Sequence, residues 1–140
     1  MSRGENPGAL LSVQTTLTYS ATEPFGHASA GKDLVLSMID DPSDSDYGKA
    51  ELGADNKKIL GKFVDLDKNG VASYMPSGMP LLLRKSADAI VLGEPLLCAG
   101  NGKVKSPPST KTVASATAGR GQAIEIQETG DNGRIIALLT

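Results

Sequence analysis

Short apolar runs separated by turn-forming residues dominate the pattern of hydrophobic and polar positions along the chain. Residues 59–66 and 71–75 are two such runs, and Asp67-Lys68-Asn69-Gly70 lies between them. Asn and Gly tolerate the positive φ of a tight turn, so this segment predicts a hairpin. Further runs lie at 32–38, 79–84, 89–92, 96–100, 103–105 and 134–139. Their length and spacing predict about seven or eight short strands.

Two other segments add to this prediction. Asn101-Gly102 is the sharpest two-residue hairpin signal in the chain. Residues 122–127 alternate in polarity, and we expect Ile124 and Ile126 to face the core. Tyr47–Asn56 is predicted to hold a short helical turn. The predicted fold is therefore mainly β, a small antiparallel β-barrel or sandwich with an extended N-terminal arm and little helix.

Residues 1–31 differ from the rest because they are rich in Ser, Thr, Ala and Gly and have few bulky side chains. Such a segment buries little by itself, so we expect it to stand apart from a β-rich domain at residues 32–140. It is either a flexible terminus or an arm that adds a strand to a partner. In the second case its binding residues are Leu11, Val13, Thr15, Leu17 and Tyr19.

Composition narrows the class of protein. A chain of 140 residues favours one domain. The formal net charge of -2 is too near neutral for a general nucleic-acid binder. The single cysteine, Cys98, permits no intrachain disulfide and lies in an apolar run, as an inert buried thiol does. With neither a membrane-spanning apolar stretch nor a signal peptide in the sequence, we expect synthesis and assembly in a reducing cytosol.

No residue pattern indicates catalysis, a cofactor or a metal. His27 lies in the predicted arm and Cys98 in a predicted strand, so we expect no nucleophilic pair, and a zinc site would need more N and S ligands than these two. The residues Asp65-x-Asp67-x-Asn69-Gly70 match the first six positions of an EF-hand calcium-binding loop. The twelfth position, which needs a bidentate acid, is Pro76, so we expect no calcium site. We therefore expect a protein that is not an enzyme and has no cofactor.

One predicted strand is apolar on both faces. Arg134–Leu139 and the run Leu81-Leu82-Leu83 carry more apolar side chains than one small sheet needs to cover. We expect a homo-oligomer, most simply a trimer, in which one of these strands lies near the symmetry axis. The predicted interface residues are Leu81, Leu83, Ile136 and Leu138.

The order of turns and strands from about residue 58 to 140 resembles that of tailed-bacteriophage head decoration proteins of the lambda type. The resemblance is carried by the Gly93-Glu94-Pro95-Leu96 bend, the Asn101-Gly102-Lys103-Val104 hairpin, the Gly119–Ala123 turn and the two closing strands. Family membership would imply a protein that sits on the outside of the expanded head. Such proteins are usually trimers at three-fold or quasi-three-fold positions and hold the shell against the pressure of packaged DNA.

The resemblance implies the partners as well. They are the major capsid protein and further copies of this chain, with no nucleic acid and no membrane. It places the protein on the outer capsid surface of the virion, after assembly in the host cytoplasm. Two alternatives remain open, namely another virion module such as a head-fibre base or tail component, and a small β-barrel enzyme or ligand-binding domain, which would need converging polar groups in a pocket.

Overall fold

In the computed structural model, which describes residues 10–107 and 119–140, all regular structure is β-strand. The ten strands are β1 Leu11–Gln14, β2 Val35–Met38, β3 Ala50–Leu52, β4 Gly61–Leu66, β5 Val71–Met75, β6 Gly78–Arg84, β7 Leu97–Gly100, β8 Lys103–Lys105, β9 Gln122–Ile126 and β10 Arg134–Leu139. They form antiparallel sheets of five, three and two strands. The predicted fold class is confirmed.

The first five strands form a ring. Their sheet has the order β1-β5-β4-β2-β3, and β1 and β3 are its outer strands. Just beyond β1, Thr15 pairs with Ala50 at the start of β3, and Thr16 N donates a hydrogen bond of 3.1 Å to Ala50 O. Main-chain pairing thus joins the two outer strands, β3 and β1, and closes the sheet as in a small barrel. We call strands β1 to β5 the first ring.

The last five strands form a second ring. The sheets β6-β10-β9 and β7-β8 are joined by two single residue pairs, Leu96 with Arg120 and Lys85 with Val104. We call each such closing pair a seam. The two rings follow each other in sequence, because every strand of the first precedes residue 76 and every strand of the second follows it.

Each ring surrounds apolar side chains. The first cluster consists of Ala30, Leu36, Ala50, Phe63, Leu66, Ala72 and Tyr74. The second cluster consists of Val35, Ile59, Leu81, Leu83, Ile90, Leu96, Cys98, Val104, Ala123, Ile135, Ala137 and Leu139. Val35 and Ile59 belong to the first half of the chain, so the second cluster also joins the two rings. Val35 N adds a main-chain bond of 2.9 Å to Gly102 O.

Both predicted hairpin turns are present. The Asp67 carboxylate accepts the amides of Asn69 at 2.8 Å and Val71 at 2.9 Å, which fixes the β4–β5 turn. Asn101 and Gly102 have φ of 54° and 78°, and this pair of positive angles is what a type I′ hairpin turn requires.

Two predicted elements are wrong. Tyr47–Asn56 contains β3 and no helical turn, because Ala50 is buried in the first cluster and Leu52 pairs with Leu36. The run 89–92 forms no strand. Val91 N donates to Ser106 Oγ at 2.8 Å, and Val91 is left exposed.

The inward orientation predicted for Ile124 is also wrong. Ile136 pairs with Glu125 whereas the next residue, Ala137, pairs with Ala123, so β9 contains one extra residue at this point. Such a bulge reverses the inward and outward sides of the strand that follows it. Ala123 is consequently buried and Ile124 is exposed.

Candidate docking surfaces

The five predicted arm residues lie on β1 and the segment after it. β1 pairs antiparallel with β5, and its register runs from Leu11 opposite Tyr74 to Gln14 opposite Val71. A stretch expected to stand apart from the core thus already occupies a place in the first ring. Its β-branched residues suit pairing with β5 as well as with another protein. Residues 1–9 of the predicted arm lie outside the described residues.

Thr15 anchors this segment. Its side chain is only 4% exposed, and Oγ1 donates to Gly70 O at 2.8 Å and accepts from Leu17 N at 3.1 Å. Val13 and Leu17 pack against the first cluster. Three of the five predicted arm residues therefore contribute to the fold itself.

The other two arm residues face solvent. Leu11 is 50% exposed and Tyr19 is 40% exposed, and Leu10 beside them is exposed too. Over Leu11–Gln14, β1 has β5 on one side and no strand on the other within the described residues. This side offers main-chain hydrogen-bonding groups together with exposed apolar side chains.

The predicted interface residues separate onto two sides of the β6-β10-β9 sheet. Leu81 and Leu83 point inward and belong to the second cluster. Ile136 and Leu138 alternate with the buried residues of β10 and are half-buried on the opposite side of the sheet. Only the second pair is accessible to another molecule.

Two further apolar side chains extend this accessible side. Leu82 is half-buried and lies opposite Ile136 in the register, and Ile124 is 42% exposed on β9. We define the outer face as Leu82, Ile124, Ile136 and Leu138. Sequence reasoning missed Ile124, because only the bulge turns it outward.

Charged residues lie on both margins of the outer face. Arg84 ends β6 and Glu125 lies on β9, so opposite charges flank the apolar centre. Arg84 Nη1 is held by Asn132 O at 2.9 Å.

Arg120 is the second residue that sequence reasoning missed. Its guanidinium donates to Ile59 O at 3.0 Å, to Leu60 O at 2.7 Å and to Pro76 O, and Nε donates to Thr140 O at 3.1 Å. These oxygens come from both rings. Burial lowers the pKa of Arg120 from its ordinary value.

A cleft of about 390 Å³ adjoins the Arg120 guanidinium. It is lined by Met38, Asp40, Lys57, Lys58, Ile59, Leu60 and Arg120. Lys57 is bonded to Asp40, and this contact lowers the pKa of the Asp40 carboxyl. The donors of Arg120 are directed to main-chain oxygens, which marks it as a structural residue.

His27 and Cys98, the two residues considered for nucleophilic or metal chemistry, have different surroundings. His27 Nδ1 accepts from Ser29 N at 3.0 Å, and its ring centroid is 6.0 Å from that of Phe63, in the first cluster. Cys98 lies in the second cluster, where burial raises the pKa of its thiol to about 12. In the part of the chain that the structure describes, no three His, Cys, Asp or Glu residues are grouped to hold a metal ion.

Among residues 10–107 and 119–140, no helix is long and apolar enough to cross a membrane. No protein-family model matches the chain, and no curated protein matches it significantly. The docking surfaces are thus defined by the geometry of the chain itself.

Proposed function

We propose that this chain is a structural capsid decoration protein. It binds the outer surface of the expanded head of a tailed phage and stabilises the shell against the pressure of packaged DNA. It acts as a homotrimer at three-fold or quasi-three-fold positions, has the major capsid protein as its partner, and assembles in the host cytoplasm. The proposal rests on the resemblance in turns and strands and on the two accessible surfaces.

The outer face is the observation that carries the proposal. Its four apolar side chains lie on adjacent strands, and a contiguous apolar patch on a small protein typically marks an interaction site. We assign a second copy of this chain as the occupant. In a head-to-tail ring the β9 margin of one copy meets the β6 margin of the next. Glu125 of one copy then faces Arg84 of the next, and these opposite charges make the two margins electrostatically complementary.

The exposed side of β1 is the surface assigned to the shell. A capsid strand added along Leu11–Gln14 would satisfy main-chain groups, and Leu11 and Tyr19 would give apolar contact. Each contact is small. Three copies in one trimer would act together because the first contact raises the effective concentration of the others.

Co-sedimentation with heads of the phage that encodes the chain tests the proposal. We expect the protein to sediment with expanded heads and to stay in solution with unexpanded ones. Leu11→Asp should weaken this binding by more than about ten-fold, a change of ~1.4 kcal/mol. Leu92→Asp is the matched control, since Leu92 is also an exposed leucine but precedes Gly93, which is bonded to Ala123 O in the second ring. Absence of binding to expanded heads would refute the proposed function.

A further inference from the structure

Lys85 is a buried cation at the second seam. Only 2% of its surface is exposed, and its main chain pairs with Val104. Its ammonium donates to Ser86 O at 2.7 Å and to Gly130 O at 3.0 Å. An ammonium group has three N–H donors, so the described residues provide acceptors for two of them.

A carboxylate in contact with Lys85 is missing from the described residues. Lys85 is one cause of the lowered pKa of Asp131, but it is a smaller cause than Lys103. Asp131 is bonded to Lys103 Nζ at 2.9 Å. A buried charge is normally paired with an opposite charge, yet none of the ion pairs among the described residues includes Lys85.

A cavity of about 240 Å³ lies beside this lysine. It is lined by Lys85, Ala87, Ala89, Ile90, Ile126, Thr129 and Gly130. The wall is apolar apart from the lysine and the threonine. The cavity is open to solvent, because Ala87, Ala89 and Thr129 are exposed. An enclosed cavity of about 150 Å³ is large enough for benzene, so the volume of this one is sufficient for an aliphatic chain of a few carbons.

We infer that this cavity binds a small aliphatic carboxylate, with its carboxyl group on the Lys85 ammonium and its chain against Ile90 and Ile126. The carboxylate supplies both the third acceptor and a negative charge beside the buried ammonium, and a charge-assisted hydrogen bond is stronger than a neutral one. The ligand is either a free short-chain acid or an acidic side chain presented by a partner. The inference does not depend on the proposed function.

Titration of the ¹⁵N-labelled full chain with sodium butyrate tests the site. We expect saturable shifts of the Ile126 and Thr129 amides at millimolar concentration, whereas butyramide, which has the same shape and no charge, should give none. Lys85→Met should abolish these shifts or weaken binding at least about ten-fold. Lys58→Met is the matched control, because Lys58 is exposed and lies in a different cleft, and it should bind as the unmodified chain does.

A second variant keeps the inference testable if Lys85→Met does not fold. Ala89 is exposed at the cavity wall, so Ala89→Leu should occupy the space, leave the fold intact by circular dichroism and weaken butyrate binding at least about ten-fold. Acetyl-Ala-Glu-Ala-amide and its Gln counterpart then distinguish the source of the carboxylate. Binding of the Glu peptide indicates a partner's side chain, and binding of butyrate alone indicates a free acid.

Three results would overturn the inference. They are an absence of saturable shifts with both butyrate and the Glu peptide, equal binding of butyrate and butyramide, and unchanged binding in the Ala89→Leu protein.

Discussion

Leu96 and Arg120 exchange two main-chain hydrogen bonds, from Leu96 N to Arg120 O at 3.0 Å and from Arg120 N to Leu96 O at 2.8 Å. This pair closes one seam of the second ring. The side chain of Arg120 continues from the seam to the main-chain oxygens of Leu60, just before β4, and of Pro76, just after β5. One residue therefore connects main-chain pairing within a ring to contact between rings.

Replacing Arg120 tests this connection. Arg120→Met removes the donor to four main-chain oxygens, and hydrogen bonds from a charged group contribute more than neutral ones. We expect the free energy of unfolding, measured in urea, to fall by about 3 kcal/mol or more. Arg134→Met is the control, because the Arg134 side chain is 40% exposed and pairs with Glu128 at the surface, and it should leave the urea midpoint nearly unchanged. Equal effects of the two changes would contradict the assigned role.

Thr15 tests whether β1 belongs to the first ring in solution. Thr15→Val keeps the shape of the side chain and removes the hydroxyl that bonds Gly70 O and Leu17 N. We expect a loss of ~1–2 kcal/mol in the free energy of unfolding. Thr16→Val is the matched control, since Thr16 is exposed, and should cost less than about 0.5 kcal/mol. No difference between the two variants would mean that β1 is detached, as the composition of the arm suggests.

Ile136 and Ile135 are neighbours on β10 that face opposite sides of the sheet. Ile136→Ser changes only the outer face and should convert the expected trimer to monomers in sedimentation, with stability reduced by about 1 kcal/mol. Ile135→Ser places a hydroxyl in the second cluster and should cost roughly 3–5 kcal/mol. If the unmodified protein is a monomer at every concentration, the prediction that the outer face forms a trimer interface before capsid binding is wrong.

Cys98 gives a prediction about pH. Burial raises its pKa in the folded protein to about 12, from an ordinary value of 9.0, because a buried site disfavours the thiolate. Between these values the unfolded chain loses the proton and the folded chain keeps it, so stability falls as pH rises, by at most about 1.4 kcal/mol per pH unit. Below pH 9 this effect is absent. Cys98→Ala should lose this part of the slope, and identical slopes for the two proteins would show that the thiol is accessible.

The sequence predicts those parts of this fold that are determined by residues adjacent in sequence. The Asn101-Gly102 turn is an example, since both residues favour the φ angles that they adopt. The bulge in β9 is not predictable in this way, because it arises from pairing with β10, and so the orientation of Ile124 was missed.

The seam residues are hidden from sequence reasoning for a different reason. Arg120 donates to oxygens 20 to 61 residues away, and Lys85 Nζ to Gly130 O across 45 residues. Every amino acid carries a main-chain oxygen, so such acceptors leave no pattern of residue types. The outer face was partly predicted because Ile136 and Leu138 show the period of a strand that is apolar on both sides.

The succession of the two rings along the chain has a consequence for folding during synthesis. A ribosome delivers all strands of the first ring, through Met75, before it completes any strand of the second. The first cluster can then condense while the second half is still being translated, because each of its residues lies before that point. Within the first ring, β1 is synthesised first but is the last strand that can pair with its neighbour. Its partner β5 is the last of the five strands to emerge.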